Sequence, residues 1–260
     1  MQVDLNSDMG ESFGPYRLGA PTEALLRYVT SANVACAFHA GDPRIMRETV
    51  ALAKAAGVGV GAHVGYPDRE GFGRRAMRMT FEEIATDVLY QIGALSAFCR
   101  EAGVSLRHVK AHGALYNQGE RDPAVAQALV EGVRRFGAPL VLVAAPGSAM
   151  AASAAVAGLA VAREAFADRA YRADGTLVPR AEAGSVIDDP AAVAARAVRL
   201  VREGMVSSAE GADVAVGADT ICIHGDTPGA EVLAETVRAA LEAAGVAVRP
   251  FPSAADAGAP

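Results

Sequence analysis

Short apolar runs alternate with capped helical segments along the whole chain, and this alternation limits the possible folds more than any other feature. Strand-like runs lie at 3–8, 33–39, 58–63, 107–112, 139–144, 159–163, 219–224 and 246–251, with a further short candidate at 185–187. The helix starts between them have physical causes. Asp42 is a good N-cap ahead of Pro43, Thr80 and Glu83 suit a capping box, and Asp122-Pro123 and Asp189-Pro190 repeat the cap-then-proline pattern. Helices are predicted over 21–29, 43–56, 80–102, 190–203 and 229–244, with others opening at 122 and after 148. No compositional break interrupts the pattern, so it predicts a parallel sheet joined by helical crossovers. Roughly seven or eight such units favour an α/β fold closed as a (β/α) barrel over an open doubly wound sheet. The expected organisation is one barrel domain over 1–252 with a frayed tail at 253–260.

Side chains alternate between the two faces of a strand. In the first strand Val3 and Leu5 point one way, and Asp4, Asn6 and Asp8 the other. Three polar groups on one face are costly to bury unless paired, so that face is expected to line a polar cavity. Parity extends the argument. Asn33, Ala35, Ala37 and His39 share a face, as do Gly59, Gly61 and His63, then His108, Lys110 and His112, then Thr220, Cys222 and His224. The opposite faces carry the bulkier apolar side chains that helices cover. His39, His63, His112 and His224 therefore fall at strand C-termini on the interior parity, at the mouth where barrel enzymes keep their chemistry. His108 lies deeper and suits a structural role.

Composition excludes several classes. At 52% hydrophobic residues the chain can fill a core, and a net charge of −6 with no Trp argues against nucleic acid as partner. The most apolar stretch, 149–162, is too short to span a membrane. Cys36, Cys99 and Cys222 are isolated, which predicts free thiols. With no signal peptide visible, a cytoplasmic location is expected. No P-loop and no nucleophile elbow occurs. Gly57-x-Gly59-x-x-Ala62 matches the dinucleotide fingerprint in letters only, because it follows a helix and is itself a strand.

Lys110 on an interior face needs a carboxylate, with Asp4 or Asp8 at hand, either as a structural ion pair or as a catalytic lysine. Gly225 to Gly229, with Thr227, suits a helix N-terminus that caps itself or takes an anion. Arg69, Arg74, Arg75 and Arg78 crowd one loop. Arg180 is placed to clamp a carboxylate.

Longer motifs carry a resemblance. Asp4-x-Asn6-x-Asp8-x-Gly10-Glu11, Asn33-x-Ala35-Cys36-x-Phe38-His39-Ala40-Gly41-Asp42-Pro43, Gly61-Ala62-His63 and Val109-Lys110-x-His112-Gly113-Ala114-Leu115-Tyr116 are four of them. Glu164-Ala165-Phe166-Ala167-Asp168-Arg169, Asp174-Gly175-x-Leu177-Val178-x-Arg180 and Ile223-His224-Gly225-Asp226 continue the set. Together they resemble the LamB/YcsF family over nearly the whole chain. The chain departs from the family pattern at Ala37, Val64 and Ala111, beside His39, His63 and His112.

The resemblance implies an irregular barrel of about seven strands, similar to the glycoside hydrolase/deacetylase superfamily. It also implies an ATP-dependent 5-oxoprolinase activity, opening 5-oxo-L-proline (pyroglutamate) to L-glutamate as the A subunit beside the B and C subunits. ATP would then be a co-substrate of the complex, with activation assigned to the partners. A general base is expected among Asp8, Glu11, His39 and His63. Lys110, with His112 or His224, would stabilise an oxyanion. Asp4, Asn6, Asp42, Tyr116, Arg180 and Asp226 are the expected substrate-binding residues, with Asp4 and Asn6 also orienting Lys110. A divalent metal on Asp8, His39 and His63 remains open as a replacement for the base. Two other readings are a metal-dependent amide hydrolase or deacetylase acting alone, and a non-catalytic scaffold.

Overall fold

The computed structural model describes residues 1–180, 182–225 and 229–254. In chain order the elements are β1 (Gln2–Met9), α1 (Thr22–Leu25), β2 (Ser31–Ala35), α2 (Pro43–Ala56), β3 (Gly59–Val64), α3 (Phe81–Ala102) and β4 (Leu106–Ala111). There follow α4 (Gly113–Arg121), α5 (Pro123–Arg135), β5 (Val141–Ala144), α6 (Ala149–Val156) and β6 (Ala160–Phe166). The last are α7 (Pro190–Glu203), β7 (Met205–Ser207), β8 (Asp213–Ala215), β9 (Thr220–Cys222), α8 (Ala230–Ala243) and β10 (Ala247–Val248).

Strands β1, β2, β3, β4, β5, β6 and β9 pair in parallel in that order, and β9 returns to β1, closing a seven-stranded barrel. The expected closure by 246–251 does not occur. β10 instead pairs with the first residues of β1, outside the ring. The hairpin β7–β8 forms a separate antiparallel pair.

The capped starts hold. Asp42 Oδ1 accepts from the Ile45 N–H at 2.9 Å, Thr80 and Glu83 form the reciprocal capping box, and Asp122 and Asp189 cap the helices that begin at Pro123 and Pro190. Val3, Leu5, Val34, Val60, Val109, Leu142 and Ile221 are buried in the apolar layer beneath the helices. Each such Val or Leu contributes about 1.5–3 kcal/mol relative to exposure.

Four local readings need correction. The helix expected over 21–29 is only Thr22–Leu25. β2 ends at Ala35 rather than reaching His39, because Ala37 adopts the left-handed region at φ 68° and turns the chain out of the strand. α4 is not among the predicted helices, since Gly113 and a nine-residue length mask its periodicity. β6 runs on to Phe166, three residues past the predicted end, which carries Glu164 into the barrel.

Candidate active site

The barrel interior is polar, and register stacks it in layers. At the bottom, Asp4 accepts from Thr30 Oγ1 (2.6 Å), Ser31 Oγ (2.7 Å) and Thr220 Oγ1. Burial pushes its carboxyl up to about 6, with the three hydroxyls opposing. One layer higher, parallel pairing sets Asn6 beside Cys222, Asn33 beside Gly61, and Gly61 beside His108. Asn6 Oδ1 accepts from Asn33 Nδ2 at 2.7 Å, and Asn33 Oδ1 accepts from His108 Nε2 at 2.8 Å. Gly61 makes room for this ring: a Cβ there would lie 2.0 Å from His108 Nε2. His108 is fully buried in this layer and does not line the cavity above.

Lys110 joins this layer to the mouth. Its Nζ lies 2.8 Å from Glu164 Oε1 and 3.2 Å from Asp8 Oδ1, and donates to Asn6 Oδ1 (3.2 Å) and Cys222 Sγ (3.1 Å). Burial alone would lower the ammonium, but the Asp8 and Glu164 carboxylates outweigh it and hold Lys110 charged. For Asp8, burial favours the neutral acid, but His63 and Lys110 prevail and keep the carboxylate ionised, well below its usual range.

At the mouth, His39, His63 and His112 converge with Glu11. One ligand atom from each of these four buried residues lies within 4.8 Å of every other. His39 and His112 stack with ring centres 3.9 Å apart, and His63 meets both edge-on. His39 reaches this position through the turn at Ala37, packed against Gly65 and Gly73. Hydrogen bonds assign the tautomers. His112 Nε2 faces Phe72 O at 2.8 Å and His63 Nδ1 faces Lys110 O at 3.2 Å, so both must donate. Their other nitrogens, His112 Nδ1 and His63 Nε2, face each other at 3.0 Å, a contact that needs a proton or a cation between them. Asp8 Oδ2 lies 3.3 Å from His63 Nε2, and Glu11 Oε1 lies 3.7 Å from His39 Nε2 and 3.9 Å from His112 Nδ1. Both ring nitrogens of His39 are buried without a hydrogen bond. Such a concentration of acceptors calls for a positive charge, either a proton or a cation. Burial keeps His39 and His112 neutral, with His112 pushed down to about 3.

A cavity of about 320 Å³ opens over this cluster. Asp8, Glu11, His63, Lys110, His112, Tyr116, Arg180 and His224 line it, and Arg74, Arg121 and Arg169 add positive charge to its wall. His39 sits behind the stacked His112 ring rather than on the cavity surface. On the far wall His224 Nδ1 meets Asp168 Oδ2 at 2.7 Å.

Several expected residues are not brought to the cavity. Asp4 and Asn6 are fully buried below it; Asn6 touches Lys110, whereas Asp4 serves the hydroxyls of Thr30, Ser31 and Thr220. Asp42 spends both carboxylate oxygens on the backbone N–H groups of Ile45 and Gly14. Asp226 and Thr227 lie outside the described residues. Among the metal candidates, the four-residue group contains His39 and His63 as expected, but Glu11 and His112 in place of Asp8. Glu164 and Asp168 were missed as site residues. Extending the period-two count of β6 would have found them, because Glu164, Phe166 and Asp168 share one parity.

The sequence model of the LamB/YcsF family matches residues 3–256. The 5-oxoprolinase A subunit of Symbiobacterium thermophilum is 53% identical over 95% of this chain and 94% of its own length. The protein of that name from Pyrococcus abyssi is 52% identical, over 96% and 98%. The crystal structure of the lactam utilization protein from Thermus thermophilus superimposes with a TM-score of 0.92 at 51% identity, covering 96% of this chain and all of that one. A putative cellobiose-phosphate cleavage protein of Enterococcus faecalis shares the fold alone, with a TM-score of 0.55 at 14% identity over 96% of this chain and 97% of its own.

Proposed function

The chain belongs to the LamB/YcsF family, and from that premise we propose that it is the ring-opening subunit of an ATP-dependent 5-oxoprolinase. In this reading it converts 5-oxo-L-proline to L-glutamate together with the B and C subunits. The observation that carries the proposal is the convergence of Asp8, Glu11, His63, Lys110, His112 and His224 on one cationic cavity. Relatives about half identical to it carry the name of the A subunit.

The substrate carboxylate binds the arginine wall, where Arg180 offers a planar donor fork suited to a carboxylate and Arg169, held on Ser185 O and Val178 O, adds positive charge. The ring carbonyl oxygen turns toward Lys110, whose ammonium stabilises the charge that develops there. Water is held against Asp8, which stays ionised, and Asp8, Glu11 or His63, which line the cavity, takes its proton. General base help of this kind is worth about 10²–10⁴-fold. A lactam is a stabilised amide, so opening is coupled to ATP. With no P-loop in this chain, activation is assigned to the partners.

Three imidazoles and one carboxylate suit zinc or manganese, and the two ring nitrogens that face one another at 3.0 Å fit such an ion. Glu11, His39, His63 and His112 would hold it, and it would supply acidification of a bound water or polarisation of the carbonyl.

Purified chain is assayed for glutamate release from 5-oxoproline and ATP, alone and with the B and C subunits. Activity only in the complex is expected. Amide or acetyl hydrolysis without ATP, abolished by a chelator, would replace this reading with a stand-alone hydrolase. Full complex activity after Asp8→Ala with His63→Ala would reduce the chain to a scaffold. Elemental analysis of purified wild-type chain against His39→Ala tests the cation independently of turnover; equal metal content in the two would remove it.

A further inference from the structure

The wall of the cavity opposite the histidine cluster holds a second acid–base unit, whose Asp168 the ring-opening reading does not use and whose His224 it considers only as an oxyanion stabiliser. His224 follows β9, and Asp168 follows β6, the strand that pairs with β9 in the barrel. The two side chains meet at 2.7 Å between His224 Nδ1 and Asp168 Oδ2, and both residues are buried. Phe166 stacks on the imidazole at 5.5 Å and 13°, which fixes the ring plane. Asp168 can only accept, so Nδ1 carries a proton and Nε2 is the nitrogen left for the cavity that His224 lines.

We propose that His224 is the general acid that protonates the leaving ring nitrogen, and that Asp168 is the positioning residue that orients its imidazole and sustains its positive charge. The proposal rests on the ring-opening reading. In the step, water oxygen bonds to the ring carbonyl carbon and its proton goes to the base on the opposite wall. The carbon–nitrogen bond breaks, its electron pair stays on nitrogen, and nitrogen takes the Nε2 proton of His224. Neutral His224 keeps its Nδ1–H on Asp168. Water is the only co-reactant of this step.

The surroundings agree with this role. Burial favours neutral Asp168, but His224, Arg169 and Arg180 outweigh it and keep the carboxylate ionised. The charged and titratable groups around the pair are Asp8 from β1, Arg169, Tyr171 and Arg180 from the segment after β6, Arg196 from α7 and Cys222 from β9, with Lys110 from β4 lining the same cavity. An amide nitrogen cannot depart as an anion, so ring opening requires a proton donor on this side.

The test uses the assembled enzyme with two substrates: 5-oxoproline, and its five-membered thiolactone analogue, whose thiolate leaves without protonation. His224→Gln is expected to slow lactam opening about 10²-fold or more while slowing thiolactone opening by under tenfold, roughly an order of magnitude below the general-acid effect. Asp168→Asn is expected to slow the lactam less and to move the alkaline limb of kcat to lower pH, because the imidazolium has lost its carboxylate. Asp168→Glu should restore part of both. Equal losses on the two substrates, or an unmoved alkaline limb, would make the pair structural and overturn the proposal. If wild-type complex opens the thiolactone but not the lactam, the ring-opening reading itself falls, and this proposal with it.

Discussion

Replacing Lys110 by methionine tests whether the polar barrel interior is held by charge. The substitution keeps the apolar stem but leaves Glu164, which lay 2.8 Å from the ammonium, and Asp8, at 3.2 Å, as buried carboxylates without their cation. Removing one partner of a buried ion pair costs about 3–5 kcal/mol. For a chain of this length each kcal/mol moves Tm by about 2–4 °C, so Lys110→Met should melt roughly 6–20 °C lower at pH 8. The sign with pH follows from the carboxylates. Lys110 is one of the cations that hold the buried Asp8 carboxyl low, so its removal raises that folded pKa. The part of the loss that comes from Asp8 is then relieved as pH falls and the neutral acid, which burial favours, takes over. The deficit should therefore shrink as pH falls from 8 toward 5. Adding Glu164→Gln should recover part of the loss, because it removes the charge left unpaired. The assay is thermal unfolding of the three proteins across that range. A loss below about 1 kcal/mol, the value of an exposed pair, or a loss independent of pH, would refute the argument.

Three further outcomes are expected. Ala37 holds a left-handed backbone at φ 68°, which costs a non-glycine residue about 1–2 kcal/mol, so Ala37→Gly should raise Tm by a few degrees, and an unchanged or lower Tm would count against strain at that turn. Burial keeps His39, His108 and His112 neutral, with the latter two pushed down to about 3. Their contribution is complete above the unfolded value of about 6.5 and is lost as pH falls toward 3. Asp4, raised to about 6, acts oppositely, losing its contribution as pH rises through that value. The three histidines outnumber it, so Tm should fall between pH 6.5 and 4, and a flat profile would contradict this. Asp42→Ala should lower stability by about 1 kcal/mol through the lost cap while kcat/KM for the complex stays unchanged; a selective rise in KM would return Asp42 to the substrate site.

What the sequence determined by itself was whatever depends on neighbours a few residues apart. The Asp-Pro caps and the Thr80–Glu83 box locate helix starts because they act on the first helical turn. Period-two parity put Asp8, His63, Lys110, His112 and His224 on the cavity side because alternation is a property of the strand backbone. Tertiary structure decided which of these groups meet. Glu164, not Asp4, shares Lys110 with Asp8, because β9 rather than the final segment closes the ring and sets the register of β1 against residues more than two hundred positions away. His39 joins His112 through a backbone turn at Ala37 that breaks parity rather than by continuing it. His224 finds Asp168 because their strands are neighbours in the closed barrel. Alternation tells each side chain which way to face, but only barrel closure, which satisfies the edge of every strand at once, sets its height and its partner.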